Sequence, residues 1–219
     1  LTFYPHPMTV LAPDIPVPLL LSQEEKEKII EDMGFHYMIV VRPSVDFLRK
    51  TADHFLADLG GIYHLKGIVT GENFTFGKGA AGNGFFLKKY FKNTSVQVHL
   101  ISLKEEDGRI ISSTGIRETI LAGHMKKAAR LLGRNYVIRG DIIHGFKRGM
   151  QLTGFPTANL RPERGRIIPK DGVYATRARI RGHSYPAVTN VGRNPTFGNE
   201  NRSIETFIIS FDENIYDAP

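Results

Sequence analysis

The sequence predicts two folds in tandem: an α/β half built on a parallel sheet with helices, residues 1–133, and an all-β half forming a small antiparallel β-barrel, residues 134–219. Three observations carry that prediction. Before Gly133, apolar runs of strand length alternate with helical stretches through connections too long for hairpins, which argues for βαβ units. After Arg134, short β-rich runs take over, and turn clusters at residues 181–184 and 198–201 space them as in a small barrel. Composition agrees: 219 residues, 41% hydrophobic and 23% charged, are globular in character and long enough for two small cores.

The same composition narrows the function. No apolar run approaches membrane-spanning length, and the start lacks the order of a secretory signal, so no membrane partner is expected. The absence of cysteine removes disulfides and thiolate metal sites and fits a cytoplasmic location. A net charge of +7 points to anionic partners, but the Lys and Arg residues are spread along the chain rather than massed, and no aromatic residues interleave with them. Nucleotides suit that pattern better than nucleic acid. The chain opens on Leu1 with strand-like LTFY and closes at Pro219 after a strand-like segment, so the natural protein is expected to extend in both directions.

In chain order, TFYPHPMTVLA is a strand end breaking into a turn in which two prolines stiffen His6; taken alone, His6 reads as a solvated turn residue. SQEEKEKIIEDMG is a helix with Ser22 and Glu25 as a capping box and Gly34 as its stop. Residues 37–41 form a strand, 45–59 a polar helix ended by Gly60 and Gly61, and 65–70 another strand. The loop GENFTFGKGAAGNG, residues 71–84, follows that strand with five glycines. It lets backbone approach a ligand, with Asn73 and Lys78 to meet phosphate or base; a plain surface loop fits the same residues. A helix over 85–91 and a strand marked by Val96, Val98 and Leu100 come next, then a turn at 106–108. ISSTGIR places Ser112, Ser113 and Thr114 where the first N–H groups of a helix are unpaired, with Arg117 one turn on, so an anion fits there. Simple N-capping needs one of those hydroxyls and leaves the rest unexplained. The helix MKKAARLL, 125–132, stops at Gly133.

In the second half, residues 136–143, 172–181, 185–191 and 203–211 are candidate strands. HGFKRG, beginning His144 and Gly145, is a glycine-bounded basic loop suited to a nucleotide's phosphates. The loop GFPTANL, 154–160, is the stretch the rest surrounds. Pro156 restrains the chain entering Thr157, and Thr157 and Asn159, two apart, point to one face of an extended segment. A hydroxyl and an amide oxygen side by side suit a hard cation such as Mg²⁺; an ordinary proline turn is the plainer reading. Glu205 opens a strand on which Phe207, Ile209 and Phe211 share its face, so its carboxylate lies at a rim or serves as a base.

TFYPHP, GENFTFGKG, ISSTGIRETILAGHMKKAARLLGR, GFPTANL, NVGRNPTF and IETFIISF stand in an order that resembles the two-domain bacterial riboflavin kinase/FAD synthetase family across essentially the whole chain. The resemblance implies an N-terminal FMN adenylyltransferase of Rossmann-like nucleotidyltransferase fold, 1–133, and a C-terminal barrel, 134–219, that phosphorylates riboflavin. Both reactions use Mg²⁺ and ATP, and the partners are small molecules: riboflavin, FMN and ATP. It implies Thr157 and Asn159 as metal and nucleotide contacts and Glu205 as catalytic base. Asn73 and Arg117, with Ser112, Ser113 and Thr114, are implied at the adenylyl-transfer site, with His6 near it. Met150 stands where the family usually carries a second basic residue. The family's HxGH motif belongs before TFYPHP, and its kinase domain continues into a helix that closes the barrel, so this stretch is expected to lack part of each domain. A flavin or nucleotide binder whose catalysis has lapsed is the alternative, but a binder has no need of a base.

Overall fold

In the computed structural model, which describes residues 1–143, 157–193, 202–211, 213 and 215, the chain divides into two units. The first is Leu1–Val17 with Gln23–Ile111, the second Pro18–Ser22 with Ser112–Pro219.

The first unit opens with β1 (Thr2–Phe3), α1 (Met8–Leu11), α2 (Gln23–Asp32) and β2 (Val40–Val41), and β1 pairs parallel with β2. Next come α3 (Val45–Leu48) and α4 (Ala52–Ile62), where one helix over 45–59 was expected. The physical reason is a second cap: the Ser44 hydroxyl accepts from Phe47 N at 3.1 Å and starts α3, and the Thr51 hydroxyl accepts from His54 N at 3.3 Å and starts α4. Gly60 and Gly61 do not break the helix. They sit in its exposed last turns.

β3 (Gly67–Gly71), β4 (Thr75–Phe76), β5 (Gly82–Asn83), α5 (Gly84–Tyr90) and β6 (Gln97–Ile101) form the body of this unit, and β7 (Glu105–Glu106) and β8 (Arg109–Ile110) a hairpin. β3 pairs parallel with β6 across α5, the expected βαβ unit, while β4 and β5 fold the glycine-rich loop into its own antiparallel ladder. Among the described residues the parallel pairing is therefore two separate two-stranded ladders rather than one sheet. The core joins Ala52 and Leu56 of α4 to Phe76, Leu87 and Phe91, with Phe55 and Phe86 ringing Phe76 at 5.5 and 5.9 Å. Burying each of these large side chains contributes about 2 kcal/mol. Gly77 makes that docking possible. Its φ is +74°, and a Cβ there would meet Ala52 N at 2.6 Å.

The second unit holds α6 (Ser113–Leu121), α7 (Met125–Leu132), β9 (Gly140–Ile143), β10 (Ala158–Pro162), β11 (Gly172–Ile180), β12 (His183–Arg193) and β13 (Arg202–Ile208). α7 stops where expected, with Gly133 left-handed at φ +69°. The five strands make one antiparallel sheet in the order β11-β12-β13-β10-β9. β11 and β12 are joined by the two residues Arg181 and Gly182, at φ +47° and +84°, rather than by a four-residue cluster. Ala158, Ala187, Ile208 and Ile215 form the buried cluster on one face of the sheet. Across that face runs a hydroxyl ladder, Thr176 to Thr189 at 2.8 Å and Thr189 to Thr206 at 2.9 Å, which satisfies the buried Thr189 oxygen from both sides.

Two expectations about this unit change. Residues 158–162 are a strand, because both their neighbours, β9 and β13, offer ladders that a turn would leave unpaired. β13 stops at Ile208, because Ser210 at φ +55° turns the chain. Ile209 N still donates to the Pro186 carbonyl at 2.9 Å, but Phe211, past the turn, does not extend the face of Glu205; it packs edge-on against Tyr185, 5.0 Å away, beside the buried cluster.

The approach of β9 to β10 depends on Gly140, where a Cβ would fall 2.0 Å from the Arg161 carbonyl oxygen. Gly140→Ala is therefore expected to destabilise the second unit by about 3 kcal/mol, read as a lower melting temperature. A wild-type melting temperature would mean that the strands part at no cost.

Candidate active site

Strand register assembles the site. Asn159 on β10 lies directly opposite Glu205 on β13, and Glu205 in turn lies directly opposite Asn190 on β12. Directly opposed residues in an antiparallel pair share a face, with Cβ atoms about 4.5–5.5 Å apart. The result is a polar row, Asn190, Glu205, Asn159, across three adjacent strands, on the face opposite Ala158 and Ile208. Thr157, two residues before Asn159, falls on the same face by the period of two. Thr157, Asn159 and Glu205 are half-buried, and Asn190 is exposed. Among the described residues, none of these four side chains is engaged in a hydrogen bond or ion pair, so a carboxylate sits ungripped between two amides.

The chemistry of this donor set can be tested against a cation. Thr157 offers a hydroxyl oxygen and Asn159 an amide oxygen, both hard oxygens and neither committed elsewhere among the described residues, with the Glu205 carboxylate beside them. That fits Mg²⁺, which takes a few protein oxygens and completes its shell with water and phosphate. Among the described residues no group of three or more His, Cys, Asp or Glu is arranged to hold a metal, so the set is not a protein-only cage of acidic or imidazole ligands.

The other expected site residues are distributed over both units. Asn73 is exposed in the turn at the carboxyl end of β3, where ligands of parallel sheets collect, and Lys78 opens a 3₁₀ turn over Lys78–Ala80. Both belong to the first unit. Ser112 caps α6, its hydroxyl accepting from Gly115 N at 3.2 Å, while Ser113 and Thr114 stand exposed in the first turn. Arg117 donates through Nε to the Pro18 carbonyl at 2.8 Å. These four belong to the second unit. The Nδ1 atom of His6 accepts from Met8 N at 3.2 Å, which ties its ring to the start of α1. His144, Gly145, Met150 and residues 154–156 of the central motif lie outside the described residues.

Sequence reasoning passed over Asn190. The available signal was local: between Ala187, Thr189 and Val191, which point to the buried face, Asn190 is the polar residue pointing the other way. Its position opposite Glu205 is a matter of register alone.

Comparison with known proteins accords with this two-part organisation. The FAD synthetase family model matches residues 1–115 and the riboflavin kinase family model residues 132–219. The bifunctional riboflavin kinase/FMN adenylyltransferase of Listeria monocytogenes is 35% identical over 219 residues, covering 99% of this chain and 69% of that protein. Its counterpart in Bacillus subtilis is 34% identical, covering 100% of this chain and 70% of that protein, and that of Escherichia coli K12 is 31% identical, covering 98% and 68%. A solved structure described as a macrolide-efflux protein from Streptococcus pneumoniae aligns with a TM-score of 0.88 at 34% identity, covering 98% of this chain and 69% of that one. Among the described residues, no helix of the present chain is long and apolar enough to cross a membrane. A mixed α/β unit followed by an antiparallel sheet, matched in that order by two flavin-nucleotide families, defines a two-domain transferase. The chain belongs to the bifunctional riboflavin kinase/FMN adenylyltransferase family and spans about 70% of the length of the relatives it matches.

Proposed function

We propose that this protein carries out two consecutive steps of FAD biosynthesis: residues 134–219 phosphorylate riboflavin to FMN, and residues 1–133 adenylylate FMN to FAD. The observation that carries the reading is the pairing of Asn159 with Glu205, which sets oxygen donors for a metal-bound triphosphate beside a carboxylate able to act as base. Thr157 and Asn159 would hold the magnesium of Mg-ATP, which when bound would neutralise phosphate charge. Glu205 takes the proton of the terminal side-chain hydroxyl of riboflavin. The hydroxyl oxygen then bonds to the γ-phosphorus as the bond to the ADP oxygen breaks. Phosphoryl transfer asks little more of a protein than placement and charge compensation. His144 and Gly145 are assigned to the same nucleotide's phosphates.

For the adenylyl transfer, Asn73 and Lys78 of the first unit are assigned to the nucleotide, supported by their place after the carboxyl end of β3. The two parallel ladders belong, in this reading, to a Rossmann-like nucleotidyltransferase sheet, and the five-stranded sheet is the wall of a small β-barrel. A cytoplasmic location and purely small-molecule partners, with no nucleic acid, go with it.

The test is a flavin assay on the natural protein at full length. With riboflavin and Mg-ATP, chromatography with fluorescence detection is expected to show FMN first and FAD after it; with FMN and Mg-ATP, FAD directly. Flavin binding without turnover would instead identify a lapsed enzyme.

A further inference from the structure

The polar row has a direction. Reading from β10 to β12 it runs Asn159, Glu205, Asn190, and beyond Asn190 the next residue in register is Val173 on β11, 71% exposed. One register pair along the same face, Val188 of β12 stands opposite Phe207 of β13. The face thus passes from oxygen donors, through a carboxylate, to a single amide whose neighbours are the apolar Val173, Val188 and Phe207 and, opposite Gly192, the hydroxyl of Ser203.

In-line phosphoryl transfer puts the attacking and leaving oxygens on opposite sides of the γ-phosphorus. With the triphosphate at Thr157 and Asn159 and the attacking hydroxyl at Glu205, the acceptor molecule must extend from Glu205 away from β10, over β12. The first polar group it meets there is the amide of Asn190, which carries both donor and acceptor atoms. Gly192, on the same face, adds no side chain beside it; a Cβ there would come no nearer than 3.8 Å to Asn190 Nδ2. The acceptor that fits is a polyhydroxylated chain carrying a flat apolar ring.

We infer that Asn190 is an acceptor-binding residue of the kinase site: its amide hydrogen-bonds the side-chain hydroxyls of riboflavin on the flank of Glu205 opposite to Asn159. This rests on the kinase reading given above. Asn190 therefore distinguishes flavin from nucleotide. Thr157 and Asn159 act on the ATP side of the carboxylate, and Asn190 acts on the other.

Steady-state kinetics on the full-length protein test this. Asn190→Ala is expected to raise the KM for riboflavin about tenfold, the effect of losing one well-placed hydrogen bond, while the KM for ATP stays within twofold. Asn190→Ser, which keeps one donor and acceptor, is expected to fall between. Riboflavin affinity measured without ATP, by quenching of flavin fluorescence, should weaken in parallel, and that measurement decides the matter should turnover of the variant be too low to follow. An unchanged riboflavin affinity, or an equal rise in both KM values, overturns the assignment. The parent reading is tested apart by Glu205→Gln: turnover retained there removes the kinase site itself, whereas failure at Asn190 alone leaves it standing.

Discussion

Glu205→Gln is expected to lower riboflavin phosphorylation by roughly 10²–10⁴-fold, the usual contribution of a positioned general base, while adenylylation of supplied FMN continues at the wild-type rate. The substitution preserves size and strand propensity and removes only the ability to take a proton. Among the described residues the carboxylate has no ion pair to lose, so stability should change little, and a melting curve close to wild type would separate chemistry from folding. Running the two half-reactions on the same preparation supplies the internal control. Kinase turnover within a few-fold of wild type would show that the proton leaves by another route and that Glu205 is not the base.

The second large effect concerns the oxygen donors. Thr157→Ala combined with Asn159→Ala is expected to raise the Mg²⁺ concentration that half-saturates the kinase step by roughly 10–100-fold, since each donor lost from a charged ligand costs about 1.5–3 kcal/mol and waters replace part of it. Excess Mg²⁺ should restore part of the rate. Adenylylation, assigned to other residues, should keep its own Mg²⁺ dependence. An unchanged Mg²⁺ requirement for phosphorylation would place the metal elsewhere. The distinction from Glu205→Gln is diagnostic: added metal rescues a lost ligand and cannot rescue a lost base.

How much of this was readable in advance depends on the range of the interaction concerned. α7 was placed from its sequence with the bounds it has, because Gly133 at φ +69° is a local stop signal. The start of α6 was legible from the cluster Ser112, Ser113 and Thr114, and the structure makes Ser112 the cap, its hydroxyl accepting from Gly115 N three residues on. Where the local signal was ambiguous the outcome differed. Gly60 and Gly61 suggested a break, but the division of that segment came from Thr51, whose capping hydroxyl starts a fresh helix upstream of them. PTANL carried the marks of a turn, yet residues 158–162 became a strand because two other strands, distant in sequence, offered it ladders on both edges.

The candidate site shows the same division. Thr157, Asn159 and Glu205 were recognisable as residue types suited to metal and proton chemistry, and the two-residue period placed the first two on one face. Periodicity, hydroxyl caps and glycine stops act between near neighbours, so the chain's own order encodes them: the α/β half before the β-rich half, the helix ends, and the identity of the oxygen donors. Which donors meet is another matter. The convergence of Asn159, Glu205 and Asn190 comes from the pairing of β10, β13 and β12, and a slip of one residue in either ladder would turn part of the row into the buried face. Packing favours the register that buries Ala158, Ala187 and Ile208 together, and so the folded sheet, not the order of residues, decided that Asn190 stands beside Glu205.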